Sequence, residues 1–502
     1  MNRAKLVCGR VIRGVIGALV ATAGSASGQV SYLWTAGGDG VSFGQGSNWT
    51  PTGVPGLLDE AKFDSGLVQS ATLAANHGID TLSVENNTTT LNLGARTLTA
   101  RALVVGDRLG DVGSLTIAGG TLTTGTGLAR LGRFAPSAGT LVVNSGATMS
   151  NLDDLIIGDE GGGTLQINAG GSVSSDIVFL ADESGSSGNA IVRGAWNLSN
   201  SLLVGNGGDG SVSISNGGDL TTTREFKVGD NLGSSGVVSV SGAGSTLTSS
   251  LLSSVGNFGP GSLAISGGAV VTTPGLRIGE DAQGDVTVDG SGSKLISSAL
   301  INVSVSGVGS LILANSGVVQ CSSVAVGALG TLGGSGSVTG AVTNAGVVRP
   351  GNSAGILSTG GFSQTTGALN IELGGANPGT GYDQLVVSGA ATLGGTLNVT
   401  LINGYNPASG TFTIIQGGAV SGTFLVQNLP AGFTITYQAD RVVVSKAGCI
   451  ADFNGDGAVN TVDVLLFLNK WVAKDPAADV NGDGTVNTVD VIVFLNLWTA
   501  GC

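Results

Sequence analysis

The chain has 502 residues, of which 89 are Gly and only 4% aromatic, with 41% hydrophobic residues and a formal charge of -13. Mean hydropathy is +0.36, too apolar for a charge-rich disordered polymer. The balance of 20 Lys plus Arg against 33 Asp plus Glu excludes a nucleic-acid partner, which needs clustered cations.

Residues 1–14 carry Arg3, Lys5, Arg10 and Arg13 and no acidic residue, ahead of the apolar run Val15–Ala23 and the small residues Gly24, Ser25 and Ala26. This is the pattern of a signal peptide, assigned to residues 1–28. Export leaves Cys321, Cys449 and Cys502 where a disulfide can persist. No later apolar run reaches the roughly 18 to 20 residues of a membrane-spanning helix, so no transmembrane segment is expected in the mature chain.

Residues 29–100 are expected to form an N-terminal β cap. They contain the single histidine, His77, in Ala-Asn-His-Gly. It is expected in a turn, and its solitude leaves Ser-His-Asp triads and His-ligated zinc almost nothing to draw on.

From about residue 100 an apolar trio closed by Gly and an acidic or amide residue recurs, as in Leu103-Val-Val-Gly106-Asp107, Leu155-Ile-Ile-Gly158-Asp159 and Leu202-Leu-Val-Gly205-Asn206. Further copies end at Asp182, Asp230, Asn257 and Glu280, at intervals of about 23 to 27 residues. A second phrase interleaves: Gly, alternating apolar residues, then a small turn, as in Gly163-Thr-Leu-Gln-Ile-Asn-Ala-Gly-Gly171. Short strands between glycine turns at this period suit the coils of a parallel β-helix. The expected fold is mainly β: a right-handed parallel β-helix with repeats over 101–345, a C-terminal β region over 346–447 and a small all-α domain over 448–502. About ten coils, each rising about 4.8 Å, give a rod on the order of 45 to 50 Å. A β-sandwich is the alternative, because periodicity does not separate parallel from antiparallel pairing.

The repeats resemble those of extracellular passenger-type β-helix proteins, including autotransporters. The flanks carry the resemblance further: Trp34-Thr-Ala-Gly-Gly-Asp-Gly40, Ser47-Asn48-Trp49 and Val54-Pro55-Gly56 before the repeats, Val347-Val-Arg-Pro-Gly-Asn-Ser353 and Tyr382-Asp383-Gln-Leu385 after them. The resemblance implies a secreted rod. Unlike an autotransporter, the chain has no terminal set of strands suggesting a translocating barrel.

Parallel β-helices include polysaccharide lyases and hydrolases, which need carboxylates or cations converging on one groove. The adjacent pair Asp153-Asp154 converges only at a bend, since neighbouring strand residues face opposite sides. The series Asp107, Asp159, Asp182, Asn206, Asp230, Asn257 and Glu280 is expected at one corner of successive coils. There it either binds cations or closes turns over backbone amides. Cys321 reads as a buried strand residue, and Trp196 either as a sugar platform or as filling between coils.

After Gly448 the composition changes: residues 452–473 recur at 479–500 with 16 of 22 positions identical. Each copy opens with an EF-hand-like calcium loop. The first offers Asp452, Asn454, Asp456, the Ala458 carbonyl, Asn460 and Asp463, with Gly457 at the turn. The second offers Asp479, Asn481, Asp483, the Thr485 carbonyl, Asn487 and Asp490, with Gly484 at the turn. Two calcium ions are expected. Each loop leads into a helix with Val464, Phe467, Leu468 and Trp471, or Val491, Phe494, Leu495 and Trp498, at core-forming spacing.

This duplicated loop-helix with Asp at position 12 closely resembles the dockerin family, calcium-dependent modules that plug secreted proteins into cohesins. The resemblance implies a Cys449–Cys502 terminal disulfide, as in a Cys-framed subtype. It places partner recognition on Thr461, Val462, Leu468, Asn469, Thr488, Val489, Leu495 and Asn496. Asn469 and Asn496 stand where many cellulosomal dockerins carry Lys or Arg. The leading expectation is a secreted, non-catalytic structural or adhesive rod, held through a cohesin-like partner at a bacterial cell surface or in an extracellular complex. The alternatives are a carbohydrate-active β-helix enzyme, lyase or glycoside hydrolase, and an adhesin for glycans or cells, so an extracellular polysaccharide is a possible partner.

Overall fold

Each short strand alternates its side chains, and the inward ones meet their equivalents one repeat away. The computed structural model describes residues 28–501; Cys502 and the expected signal peptide, but for its last residue, lie outside them. Gly162–Ile167 runs parallel between Ala138–Val143 and Ser187–Val192. Ala147–Asn151 lies between Val112–Thr124 and Ser172–Ser175, and Leu155–Ile157 between Ala129–Leu131 and Val178–Leu180. Three strands per coil thus build three parallel sheets, which overturns the sandwich alternative. Leu141, Leu165 and Ala190 stack in register inside one sheet, as do Leu131, Ile157 and Leu180 inside another, all fully buried. Each such Leu or Ile is worth about 1.5–3 kcal/mol on burial, and only stacking supplies it.

Glycine makes the corners possible. Gly163 pairs in register with Gly139 and Gly188, and a Cβ on Gly163 would sit 2.1 Å from the Gly158 amide nitrogen. Gly158 turns the corner at φ 78, a slot that Ala181 (φ 56) and Ser304 (φ 70) occupy in their own coils. Ser304 hides its coil from a sequence pattern written around Gly.

The solenoid has about 14 turns, more than the ten expected, because coiling continues on both sides of the recognisable repeat. Past residue 336 each strand pairs with the second one after it: Ser337–Asn344 with Ile356–Gln364, then Gln384–Leu393, then Gly410–Gly422. These strands bend through a corner, with a register shift between Val338 and Ala341 in the first. Two strands therefore complete a coil and the phrase of the repeat disappears. Arg441–Lys446 then pairs antiparallel with both Gly410–Gly422 and Phe433–Tyr437, covering an edge that would otherwise invite pairing.

At the other end an aromatic plug forms. Trp34 meets Trp49 at 4.9 Å and Phe43 meets Trp49 at 5.0 Å, both edge-on. Buried Asn48 organises the loop around it: its Oδ1 accepts the Gly38 and Gly40 amides, and its Nδ2 donates to Asp39 Oδ1 and the Ser42 carbonyl. His77 is not in a turn. It opens the strand His77–Val84, edge-on to Phe43, with Nε2 2.6 Å from the Pro55 carbonyl.

Among the described residues no helix is long and apolar enough to cross a membrane.

Candidate functional site

Two helices, α1 (Thr461–Val472) and α2 (Thr488–Ala500), follow the duplicated loops. Each begins where an Asn accepts the N2 amide and an Asp three residues on reaches back to the cap. Asn460 takes the Val462 N–H at 2.8 Å while Asp463 accepts the Asn460 N–H at 2.8 Å; Asn487 and Asp490 do the same. This is a capping box.

The loop oxygens gather around backbone amides. Asp452 Oδ1 and Asn454 Oδ1 both accept the Asp456 N–H, at 3.0 and 2.8 Å, and Asp452 Oδ2 accepts Gly457 N–H at 2.8 Å. Asp479, Asn481 and Asp483 repeat the arrangement, at 3.2, 2.9 and 2.8 Å. Gly457 and Gly484 make the turns at φ 87 and 85. The donor set, carboxylate, carboxamide and carbonyl oxygens on one tight loop, fits calcium. Asp463 is fully buried and spends Oδ1 on the Asn454 amide and Oδ2 on the Asn460 amide. Burial pushes its carboxyl up, but the amides of Asn460, Asn454 and Phe453 outweigh this and hold it low. Among the described residues no three His, Cys, Asp or Glu side chains form a metal-holding group.

The core is smaller than the helical spacing suggests. Phe467, Ala478 and Phe494 are buried, with Phe453, Val464, Trp471, Val480, Val486, Val491 and Trp498 packed against them. Leu468 and Leu495, expected in this core as well as on the partner surface, are 37% and 39% exposed. The loops fill their places inside. Trp471 Nε1 donates to the Asn487 carbonyl at 2.6 Å and Trp498 Nε1 to the Asn460 carbonyl at 2.9 Å, so each helix ties down the other's cap.

All eight expected recognition residues are exposed: Thr461, Val462, Leu468 and Asn469 on α1, Thr488, Val489, Leu495 and Asn496 on α2. Sequence reasoning missed Leu465 and Val472 on α1 and Ile492 on α2, exposed at 61%, 73% and 60%. Their spacing of three or four from Val462, Leu468 and Val489 was the available signal.

Elsewhere the acidic corner series does stack, and its charges are answered. Arg133 pairs with Asp107, Arg130 with Asp159 and Arg277 with Glu280, at 2.9, 2.9 and 2.6 Å. Asn206 Nδ2 donates to Asp182 Oδ1, and Asn257 Nδ2 to Asp230 Oδ1, both at 2.7 Å. These contacts pair the corner charges within the protein, mostly from one coil to the next. Asp153 and Asp154 lie at a bend: Asp153 gives its carbonyl to the Asp176 N–H, and Asp154 Oδ1 accepts the Ile177 N–H at 3.3 Å. Trp196 is fully buried inside the solenoid, its Nε1 donating to Ser175 Oγ, so it is not a sugar platform. Cys321 is free and half-buried, just beyond the strand Val318–Gln320 rather than within one; burial pushes its thiol up. Cys449 is engaged, and its expected bond to Cys502 reaches outside the described residues.

A parallel β-solenoid followed by two symmetric loop-helix units defines a rod that carries a calcium-type docking module. Residues 450–496 match the Dockerin type I domain, so the chain carries a dockerin at its C-terminal end. Dockerin domains bind cohesins, and type I dockerins bind calcium. No curated protein matches the chain.

Proposed function

We propose that this is a secreted, non-catalytic structural or adhesive rod, attached by its dockerin to a cohesin-like partner at a bacterial cell surface or in an extracellular complex. The observation that carries the reading is the pair of equivalent exposed helix faces, Val462-Leu465-Leu468 and Val489-Ile492-Leu495, related by the reciprocal Trp471 and Trp498 bonds. Apolar faces of this kind on a small module suit a partner that covers them.

One calcium ion is held by Asp452, Asn454, Asp456, the Ala458 carbonyl, Asn460 and Asp463. A second is held by Asp479, Asn481, Asp483, the Thr485 carbonyl, Asn487 and Asp490. Calcium draws the loop oxygens together and so fixes the start of each helix. The Cys449–Cys502 disulfide frames the module at 448–502. The signal peptide delivers residues 29–447, cap, repeats and C-terminal coils, to the outside.

The test is capture from the secretome on the immobilised full chain, with calcium and with chelator. A cohesin-fold protein is expected only with calcium, and its capture is expected to fail when Leu468→Asp and Leu495→Asp are combined. Capture unaffected by the double change overturns the face assignment. The non-catalytic part is tested on pectins, alginates, glucans and xylans. Release of reducing ends or unsaturated products, abolished by Asp154→Ala, overturns it in favour of the carbohydrate-active alternative.

A further inference from the structure

One parallel sheet runs the length of the solenoid, from the strand Val68–Thr72 to the strand Val426–Asn428. Its register is unbroken. Val68, Thr88 and Ser114 stand in line at the N-terminal end, Ala368, Thr396 and Val426 at the C-terminal end, and parallel pairings join them coil by coil. Val68 and Val426 therefore hold the same place in the first and last strands of one sheet.

The neighbouring sheets are covered where this one is open. Ser31–Trp34 lies over Glu60–Phe63 at one end, and Arg441–Lys446 lies over residues 410–416 at the other. Among the described residues, the outer side of Val68–Thr72 meets only Ser42, beside Thr72, and Val426–Asn428 pairs only with Thr396–Leu401. Open edges are commonly blunted by charge or proline, and these are not. Both segments read Leu-Val-Gln, at 67–69 and at 425–427, with no charged residue or proline from 67 to 72 or from 425 to 428. Val68 and Val426 are 83% and 50% exposed.

We propose that these two edges pair with each other between molecules: the strand Val426–Asn428 of one copy lies parallel beside the strand Val68–Thr72 of a second copy, and the sheet continues from rod to rod.

The side chains are complementary position by position. Val426 meets Val68, apolar against apolar, with the exposed Leu425 and Leu67 next to them. Gln69 Oε1 accepts from Asn87 Nδ2, which leaves Gln69 Nε2 to donate. Gln427 Nε2 donates to the Phe424 carbonyl and the Tyr437 hydroxyl, which leaves Gln427 Oε1 to accept. The third position extends a ladder. Asn398 donates to Asn370 and Asn428 to Asn398, at 2.8 and 2.7 Å, so Asn428 Oδ1 is left for a donor on a following coil. Ser70 Oγ already accepts Asn92 Nδ2 at 2.7 Å and has its hydroxyl proton to give.

A two-fold contact between like ends would set the strands antiparallel and lose this register. Joining unlike ends repeats along the axis instead of closing, which gives coaxial filaments of rods. The contact is separate from the faces of α1 and α2 and adds an interface between copies of the rod to the one made by the dockerin.

The test is sedimentation equilibrium of the full secreted chain with calcium. Mass above the monomer, rising with concentration, is expected. Val68→Lys and Val426→Glu should each weaken association at least about tenfold, with the thermal midpoint unchanged because both residues are exposed. Combined in one chain they should restore it, since opposite charges then meet at the shared register position. A monomer at every concentration up to about 0.1 mM, single changes without effect, or a combined variant no better than the weaker single one overturns the proposal. The chain carrying both Leu468→Asp and Leu495→Asp is expected to associate as wild type. Loss of association there would place the contact on the docking faces and overturn the proposal, and intact association beside failed cohesin capture separates the two readings.

Discussion

Phe467 and Phe494, at equivalent positions of the two C-terminal repeats, stack face to face with centroids 4.1 Å apart and planes 10° from parallel. Phe453 meets both edge-on, at 5.5 and 5.8 Å. The pseudo-symmetry of the sequence thus becomes a symmetric core in which neither helix has an apolar interior of its own.

Phe467→Ala is therefore expected to release both helices. Removing a buried Phe costs about 3–5 kcal/mol, more than a module of this size can spare. Hydrogen exchange on the full chain should show loss of protection over both α1 and α2, with the strand Gly162–Ile167 unchanged. Loss confined to α1 would contradict a shared core.

Calcium removal should act on the same elements. Because the loops cap the helices, chelation is expected to raise exchange over 452–463 and 479–490 and then over the helices. Titration calorimetry of the full chain should return two ions, and Asp452→Ala should leave one. Wild-type binding of no calcium would remove the metal from the account.

The glycine column makes opposite predictions at two positions. A Cβ on Gly210 would meet the Gly205 amide nitrogen at 2.1 Å, so Gly210→Ala should destabilise the solenoid by about 1–3 kcal/mol. Ala181 holds φ 56, a conformation costing an L-residue about 1–2 kcal/mol, so Ala181→Gly should be neutral or stabilising. Denaturation midpoints followed by circular dichroism decide both.

Asn257→Asp would set a carboxylate against buried Asp230 in place of the 2.7 Å amide contact. Two like charges facing each other at a buried corner repel, so the thermal midpoint should fall at neutral pH. Acidification into the carboxylate range should restore part of it. A midpoint equal to wild type at pH 7 would contradict the role given to the corner amides.

Asp383 makes the C-terminal coils sensitive to pH. Its Oδ1 accepts the Gly355 N–H and its Oδ2 the Glu372 N–H, both at 2.8 Å. Burial overrides these and, with Glu372 nearby, pushes the carboxyl up to about 7. A group raised on folding contributes stability that is complete below its unfolded value and is lost as pH rises through its folded one. Stability should therefore fall between about pH 4 and pH 8, and thermal scans of Asp383→Asn should show a flatter slope there, whatever its absolute stability.

The period of the apolar trio, the glycine phrase and the doubled calcium loop were legible in the residues themselves. Each depends on local rules: strand alternation, the left-handed turn that Gly accepts, and the oxygen spacing of a short loop. These determined a solenoid, its corner and a docking module. Tertiary structure decided the rest. Parallel pairing and the change from three strands per coil to two depend on which strand lies one turn away, and no local pattern encodes that. Leu468, expected both at core spacing and on the recognition surface, lies outward at 37% exposure, because Phe453 and Val480, from the loops, fill the core first.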